Sequence, residues 1–208
     1  MTHELRYYFN NKQETIYLYS YFVSSLVLIP FVGSADSGKL TALAAIGLWV
    51  TLASAIAMGA MSLFKRDQVA GRLDYYQMLP CALEGVVVAK WLAFYVFITV
   101  PLLAAIPLAG VLYDLSGAVL GRYALGLLAG AAGLSLLSAV VGAITSGLDK
   151  AGAVLSLILL PLSIPVLIFG ANYCQHGGVA NLVFLFGFAL FLLPVLCFVG
   201  AYGIRASN

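Results

Sequence analysis

The sequence predicts an all-α, polytopic membrane protein with six spanning helices and one cytoplasmic amphipathic segment. Three observations carry this. Only 9% of the 208 residues are charged, against 63% apolar, whereas soluble domains carry about 25% charge. The charges avoid residues 15–35, 40–64, 91–113, 123–148 and 151–204 completely. Those windows are continuously apolar, which excludes a β-barrel of short alternating segments.

A spanning helix needs about 20 apolar residues, so each of the first four windows holds one. The fifth is too long for one span and is divided at the polar run Asn172-Tyr173-Cys174-Gln175-His176-Gly177-Gly178. The expected spans lie near 15–33, 40–63, 91–112, 120–146, 152–171 and 180–203, in a single permease domain over 1–208. Six spans place both termini on one side. That side, with the 64–90 and 147–151 segments, holds eight Lys/Arg, and the other holds only Lys39 and Arg122. The bias makes both termini cytoplasmic.

Residues 1–14 form a cytoplasmic arm. Leu5, Tyr8 and Phe9 recur at helical spacing, so it reads equally as an interfacial helix or a frayed tail. Gly33-Ser34-Ala35 has the small residues of a signal-peptide cleavage site, but the mixed charges before it make a poor leader, and the first window is read as a retained span. In the third span, Lys90 snorkels from the inner interface near Glu84 and Trp91 is an interfacial anchor. Gly126-x-x-x-Gly130, with Gly133 beyond, predicts close helix packing in the fourth span. Pro161 and Pro165 each remove a backbone donor, and they predict a strong bend or a break in the fifth. Ser156 and Ser163 are placed to satisfy the carbonyls this frees.

Several function classes are excluded. A net charge of +2 leaves no basic footprint for nucleic acid. Gly33-Ser34-Ala35-Asp36-Ser37-Gly38-Lys39-Leu40 approaches a phosphate-binding loop, but Leu40 stands where Ser or Thr must hold magnesium. Nucleotide chemistry therefore belongs to another chain, and this one is not an enzyme. The windows hold no ionisable pair for intramembrane proteolysis or proton coupling. Cys81, Cys174 and Cys197 form no Cys-x-x-Cys. Cys174 and His176 are the only soft ligands close together, too few for a closed metal site. His176 reads as a loop residue first and as a haem or metal contact second.

Residues 65–80 hold five of the eighteen charges. Val69, Leu73, Tyr76 and Leu79 recur at helical spacing, with Asp67, Gln68, Arg72, Asp74 and Gln77 facing elsewhere. Such a helix either rests on lipid or docks into a cytoplasmic partner. Mixed charge favours docking, since lipid-binding helices are rich in Lys/Arg.

The order Phe64-Lys65-Arg66-Asp67, Gly71-Arg72-Leu73-Asp74, Met78-Leu79-Pro80 and Val88-Ala89-Lys90-Trp91 resembles the haem exporter protein B family. So does Leu160-Pro161-Leu162-Ser163-Ile164-Pro165, preceded by Gly147-Leu148-Asp149-Lys150. The likeness covers nearly the whole chain, though the family often has two basic residues where Asp149 stands. It implies the membrane subunit of an ABC-type complex in cytochrome c maturation. Two copies would pair with two ATPase subunits and meet a haem-handling membrane protein and a periplasmic haem chaperone. ATP hydrolysis would drive release of the loaded chaperone. It implies haem as a transported or handled ligand, with no firmly bound cofactor, and an inner-membrane location. Residues 65–79 would be the coupling helix in the ATPase groove, with Asp67, Arg72 and Asp74 as polar contacts and Leu73 and Tyr76 as buried anchors. The competing reading is a permease of similar topology exporting lipid, drug or polysaccharide.

Overall fold

The computed structural model describes residues 12–32, 37–63, 83–145 and 151–206. They form six helices: α1 (Lys12–Val32), α2 (Ser37–Leu63), α3 (Leu83–Leu112), α4 (Gly117–Thr145), α5 (Ala151–His176) and α6 (Val179–Ala206). No strand occurs among the described residues. Five helices are long and apolar enough to cross a membrane, α2 to α6. In α1 the described apolar stretch is shorter, Tyr19–Leu28, so the expected six spans stand here as six helices and five candidate spans. Residues 1–11 of the arm lie outside the described residues, and α1 already begins at Lys12.

The helices surround α4, which packs against α2, α3, α5 and α6, while α1 packs against α2 and α3. Within its candidate span α4 is 83% buried, against 22% for α6. The reason is composition. Lipid tails are as apolar as leucine, so helices associate in a bilayer by close packing and hydrogen bonds. Gly126, Gly130 and Gly133 let three neighbours reach the α4 backbone. A Cβ on Gly126 would lie 2.8 Å from the Tyr173 ring of α5, and one on Gly133 would lie 3.2 Å from Phe188 of α6. A Cβ on Gly130 would overlap the six-membered ring of Trp49 from α2. Gly170 of α5 borders the same indole, leaving Trp49 between two helices that both lack a side chain there.

The outward faces are apolar. Leu157, Leu160, Ile164 and Ile168 of α5 are exposed at helical spacing, as are Val183, Leu190, Phe191 and Phe198 of α6. In water such a surface drives association; on spanning helices it is the lipid-facing side. Phe169 stacks on Phe184 across the α5–α6 seam with centroids 4.0 Å apart, and Phe188 follows Phe184 along α6 at 6.1 Å.

Two tight turns set the antiparallel pairs. After α3, Asp114 takes φ 50, and the Leu115 amide donates to Gly110 O at 3.0 Å. This is a Schellman closure with aspartate in the left-handed position that glycine usually fills. After α5, the chain reverses on Gly177 (φ 75) and Gly178 (φ 96), and Asn181 Nδ2 donates to Gly177 O at 3.1 Å.

Three expectations are corrected. Asn172–His176 is not a loop; it forms the last turn and a half of α5, and the break is confined to the two glycines. Of the bend or break expected at Pro161 and Pro165, the break does not occur, since α5 is one helix through both. Ser163 Oγ donates to Leu160 O at 2.7 Å, which is neither carbonyl freed by a proline four residues on. Lys90 does not snorkel, and Trp91 is no interfacial anchor. Lys90 is 3% exposed and Trp91 9%, because α3 starts at Leu83 and turns Val87, Lys90, Trp91 and Phe94 inward on one face.

Gly130→Ala and Gly170→Ala should each cost roughly 1–3 kcal/mol through overpacking against Trp49. Gly85→Ala, with nothing near its Cβ position, should cost nothing. Thermal unfolding of detergent-solubilised protein checks this, and equal midpoints for all three would contradict the cradle.

Candidate functional site: the segment between α2 and α3 and the helices that flank it

Asp67, Arg72, Leu73, Asp74 and Tyr76 lie outside the described residues. What is described is the pair of helices that flank them, α2 ending at Leu63 and α3 beginning at Leu83. The two are pressed together near that end. A Cβ on Gly59 of α2 would lie 2.6 Å from the Phe94 ring of α3, so only glycine permits the approach.

Each flanking helix is fastened to α4 through a tryptophan. Trp49 is 1% exposed. Its ring fills the Gly130–Gly170 cradle, and its Nε1 donates to Cys174 Sγ of α5 at 3.3 Å. Trp91 Nε1 donates to Ser135 Oγ of α4 at 2.9 Å, and that hydroxyl donates onward to Ala132 O at 3.0 Å. Ser138 Oγ repeats the pattern onto Ser135 O at 2.9 Å. One turn along α3, Tyr95 donates to Leu128 O at 3.3 Å and stacks on Trp91 at 6.0 Å. Trp91 and Tyr95 are four apart and Leu128 and Ser135 seven apart, so each pair lies on one helix face. A polar group in hydrocarbon gains from finding such partners.

At the other end, Tyr113 ties α3 to α1 by donating to Leu26 O at 3.2 Å. Burial pushes its hydroxyl up to about 12, so it remains a neutral donor at any physiological pH. Arg122 of α4 reaches the α5–α6 turn, with its guanidinium 3.4 Å from where a Gly177 Cβ would sit.

The Cys174–His176 pair does not converge. Residues two apart on a helix do not share a face. Cys174 is buried against Trp49, while His176 is exposed in the last turn. No group of three His, Cys, Asp or Glu side chains suited to a metal occurs among the described residues. The second half of the near-phosphate-loop, from Ser37, is the start of α2, and a helix rather than a strand precedes it. Pro161 and Pro165 lie on the exposed side of α5.

The residues that organise this region, Trp49, Tyr95, Ser135, Gly170 and Cys174, were not singled out by sequence for these roles. One signal was present for Trp49. Tryptophan favours the membrane interface, and this one stands near the middle of an uncharged window.

Comparison with known proteins decides the family. The CcmB protein family model matches residues 1–207. The chain belongs to the CcmB family. It is 33% identical to Heme exporter protein B of Paracoccus denitrificans over 193 residues, covering 90% of this chain and 88% of the relative. It is 33% identical to the protein of that name from Bradyrhizobium diazoefficiens over 189 residues, 90% and 85% of the two chains. With Heme exporter protein B of Pseudomonas aeruginosa the identity is 30% over 212 residues, 100% and 95% of the two chains. This CcmB-family chain is thus a multi-pass membrane protein similar along nearly its full length to bacterial proteins named Heme exporter protein B.

Cys174→Ala should cost about 1–3 kcal/mol by leaving the Trp49 N–H without an acceptor. His176→Ala, at an exposed position, should change stability by less than about 0.5 kcal/mol. Thermal unfolding of the two variants side by side checks both.

Proposed function

We propose that this chain is the permease subunit of an ABC-type complex that exports or handles haem during cytochrome c maturation. The observation that carries this is the family match over residues 1–207, joined by relatives named Heme exporter protein B. The complex sits in the bacterial inner membrane. Two copies of this chain span the bilayer, α1 supplying the sixth span, with both termini cytoplasmic as the Lys/Arg bias requires.

ATP is hydrolysed by a separate subunit. The support is chemical, since the nearest approach to a phosphate-binding loop has Leu40 where the magnesium-holding hydroxyl belongs. Residues 65–80 dock into that subunit, with Asp67, Arg72 and Asp74 making polar contacts and Leu73 and Tyr76 filling its groove. A haem-handling membrane protein and the periplasmic haem chaperone complete the assembly. ATP hydrolysis is spent on releasing the loaded chaperone, and haem is cargo rather than a resident cofactor.

Expression of this chain in a strain lacking its own Heme exporter protein B should restore c-type cytochromes. Failure at normal membrane levels, with export of a lipid, drug or polysaccharide instead, would reassign the substrate. Asp67→Arg combined with Arg72→Glu should abolish co-purification of the ATPase while leaving membrane insertion intact. Full recovery of the complex would remove the docking role of 65–80. A reporter fused after Asn208 should be active only on the cytoplasmic side.

A further inference from the structure

We propose that a second copy of this chain docks on the face formed by α1, α2 and α5, with serine hydroxyls of α1 donating to backbone carbonyls of α5 across the pair. The inference rests on the two-copy reading proposed above and names the surface where the copies meet.

The side chains on the exterior of α5 suit lipid, but its backbone does not. Pro161 and Pro165 carry no N–H, so the carbonyls of Leu157 and Pro161 lose their helix donors. Leu157 is exposed, and so are both prolines. Ser163 Oγ donates to Leu160 O instead, and no other described side chain supplies a donor to either freed carbonyl. Hydrocarbon offers no donor, and backbone left bare at that depth is tolerated where protein covers it. Pro107 of α3 and Pro194 of α6 also face outward. Among the described helices, however, α5 alone frees two carbonyls one turn apart.

The packing around α2 shows what lies beside that face. α2 touches α1, α3, α4 and α5. Going round it, α1 touches α3, α3 touches α4 and α4 touches α5, whereas α1 and α5 do not touch. The open arc of α2 is therefore bounded by α1 on one side and α5 on the other. Ile46, Val50 and Met58 occupy it, each about half exposed. On α1, Ile16, Ser20, Ser24 and Leu28 form an exposed stripe at four-residue spacing. The Ser20 hydroxyl has no partner among the described residues. Ser24 Oγ donates to Tyr21 O of its own helix at 3.0 Å, and it can turn outward because that carbonyl keeps its helical N–H partner.

Donors and acceptors match in spacing and in depth. Ser20 and Ser24 are one turn apart, as are Leu157 and Pro161. Both pairs stand about two to three turns from the start of their helices, at Lys12 and Ala151, and both helices start on the same side of the bundle. A two-fold axis along the membrane normal, beside the open arc of α2, preserves that depth. It carries α1 of each copy to α5 of the other, so the contact forms twice and closes.

The test uses two differently tagged copies of the full chain, expressed with the rest of the complex in cells. Recovery of one tag with the other reports pairing. With Ser24→Cys in one copy and Leu160→Cys in the other, mild oxidation of membranes should give a band of twice the chain mass on a non-reducing gel. Either cysteine alone, or Ser24→Cys with Phe191→Cys on α6, should give no more of it than wild type. Ser20→Ala with Ser24→Ala removes the donors, and Pro161→Ala with Pro165→Ala lets α5 satisfy its own carbonyls. Each pair, at unchanged chain level, should lower recovery of the second tag by at least about tenfold, the scale of four interhelical hydrogen bonds. Tags that co-purify while the α1–α5 cysteines stay unjoined, or while α6 is joined instead, overturn this surface and leave two copies standing. Tags that never co-purify overturn the two-copy reading, and this inference with it. Wild-type recovery in both the serine and the proline variants overturns the donor–acceptor pairing. If the proline variant does not accumulate, the serine variant and the cross-link decide.

Discussion

The indole of Trp49 lies where two helices have no side chains, and the rest of the bundle is arranged around that fact. Gly130 on α4 and Gly170 on α5 each leave the space that a single Cβ would take. In water, a tryptophan on a helix is drawn inward by the hydrophobic effect. In a bilayer that force is absent between helices, so contact surface and satisfied polar groups must do it. The cradle brings two helix backbones against the six-membered ring, and Cys174 takes its one donor. The neighbouring Gly126 and Gly133 extend the same solution to Tyr173 and Phe188. A mostly small-residue helix thereby becomes the centre, and the bulky residues lie on its neighbours.

Much of this architecture was legible in the placement of charge. Ionisable side chains are costly at membrane depth, so uncharged windows mark helices, and all six helices appear close to where the windows predicted. The misreadings share a cause. Sequence patterns show where a helix has to stop for solvation reasons, not where it is able to continue. Asn172–His176 looked like a loop by polarity, yet it stays helical because nothing in it forces the backbone out; only Gly177 and Gly178 adopt positive φ. Lys90 looked like an interfacial cation because the neighbouring charge-free window starts at Trp91. The helix extends back to Leu83 and its register carries Lys90 inside.

The candidate site divides differently. The charged segment between α2 and α3 is legible in sequence, since polarity in an apolar chain is conspicuous. The family likeness, resting partly on that segment, agrees with the matched family. What fastens the flanking helices to the bundle was not legible. Gly130 was expected to permit a close approach, but no spacing rule says that the approaching group is a tryptophan 81 residues earlier in the chain, on α2. Ser135 looks like any small residue in a span until Trp91 is found opposite it. Pairings between distant helices are tertiary facts, and a single sequence leaves them unspecified.

The chain has two tryptophans, and both are packed against the same helix. One has a thiol beside its ring nitrogen and the other a hydroxyl, and neither is open to bulk solvent. Its intrinsic ultraviolet emission is therefore a built-in optical gauge of α4. Light from this protein reports on the centre of the bundle without any label, and replacing either indole by phenylalanine would leave the other as a single-site reporter.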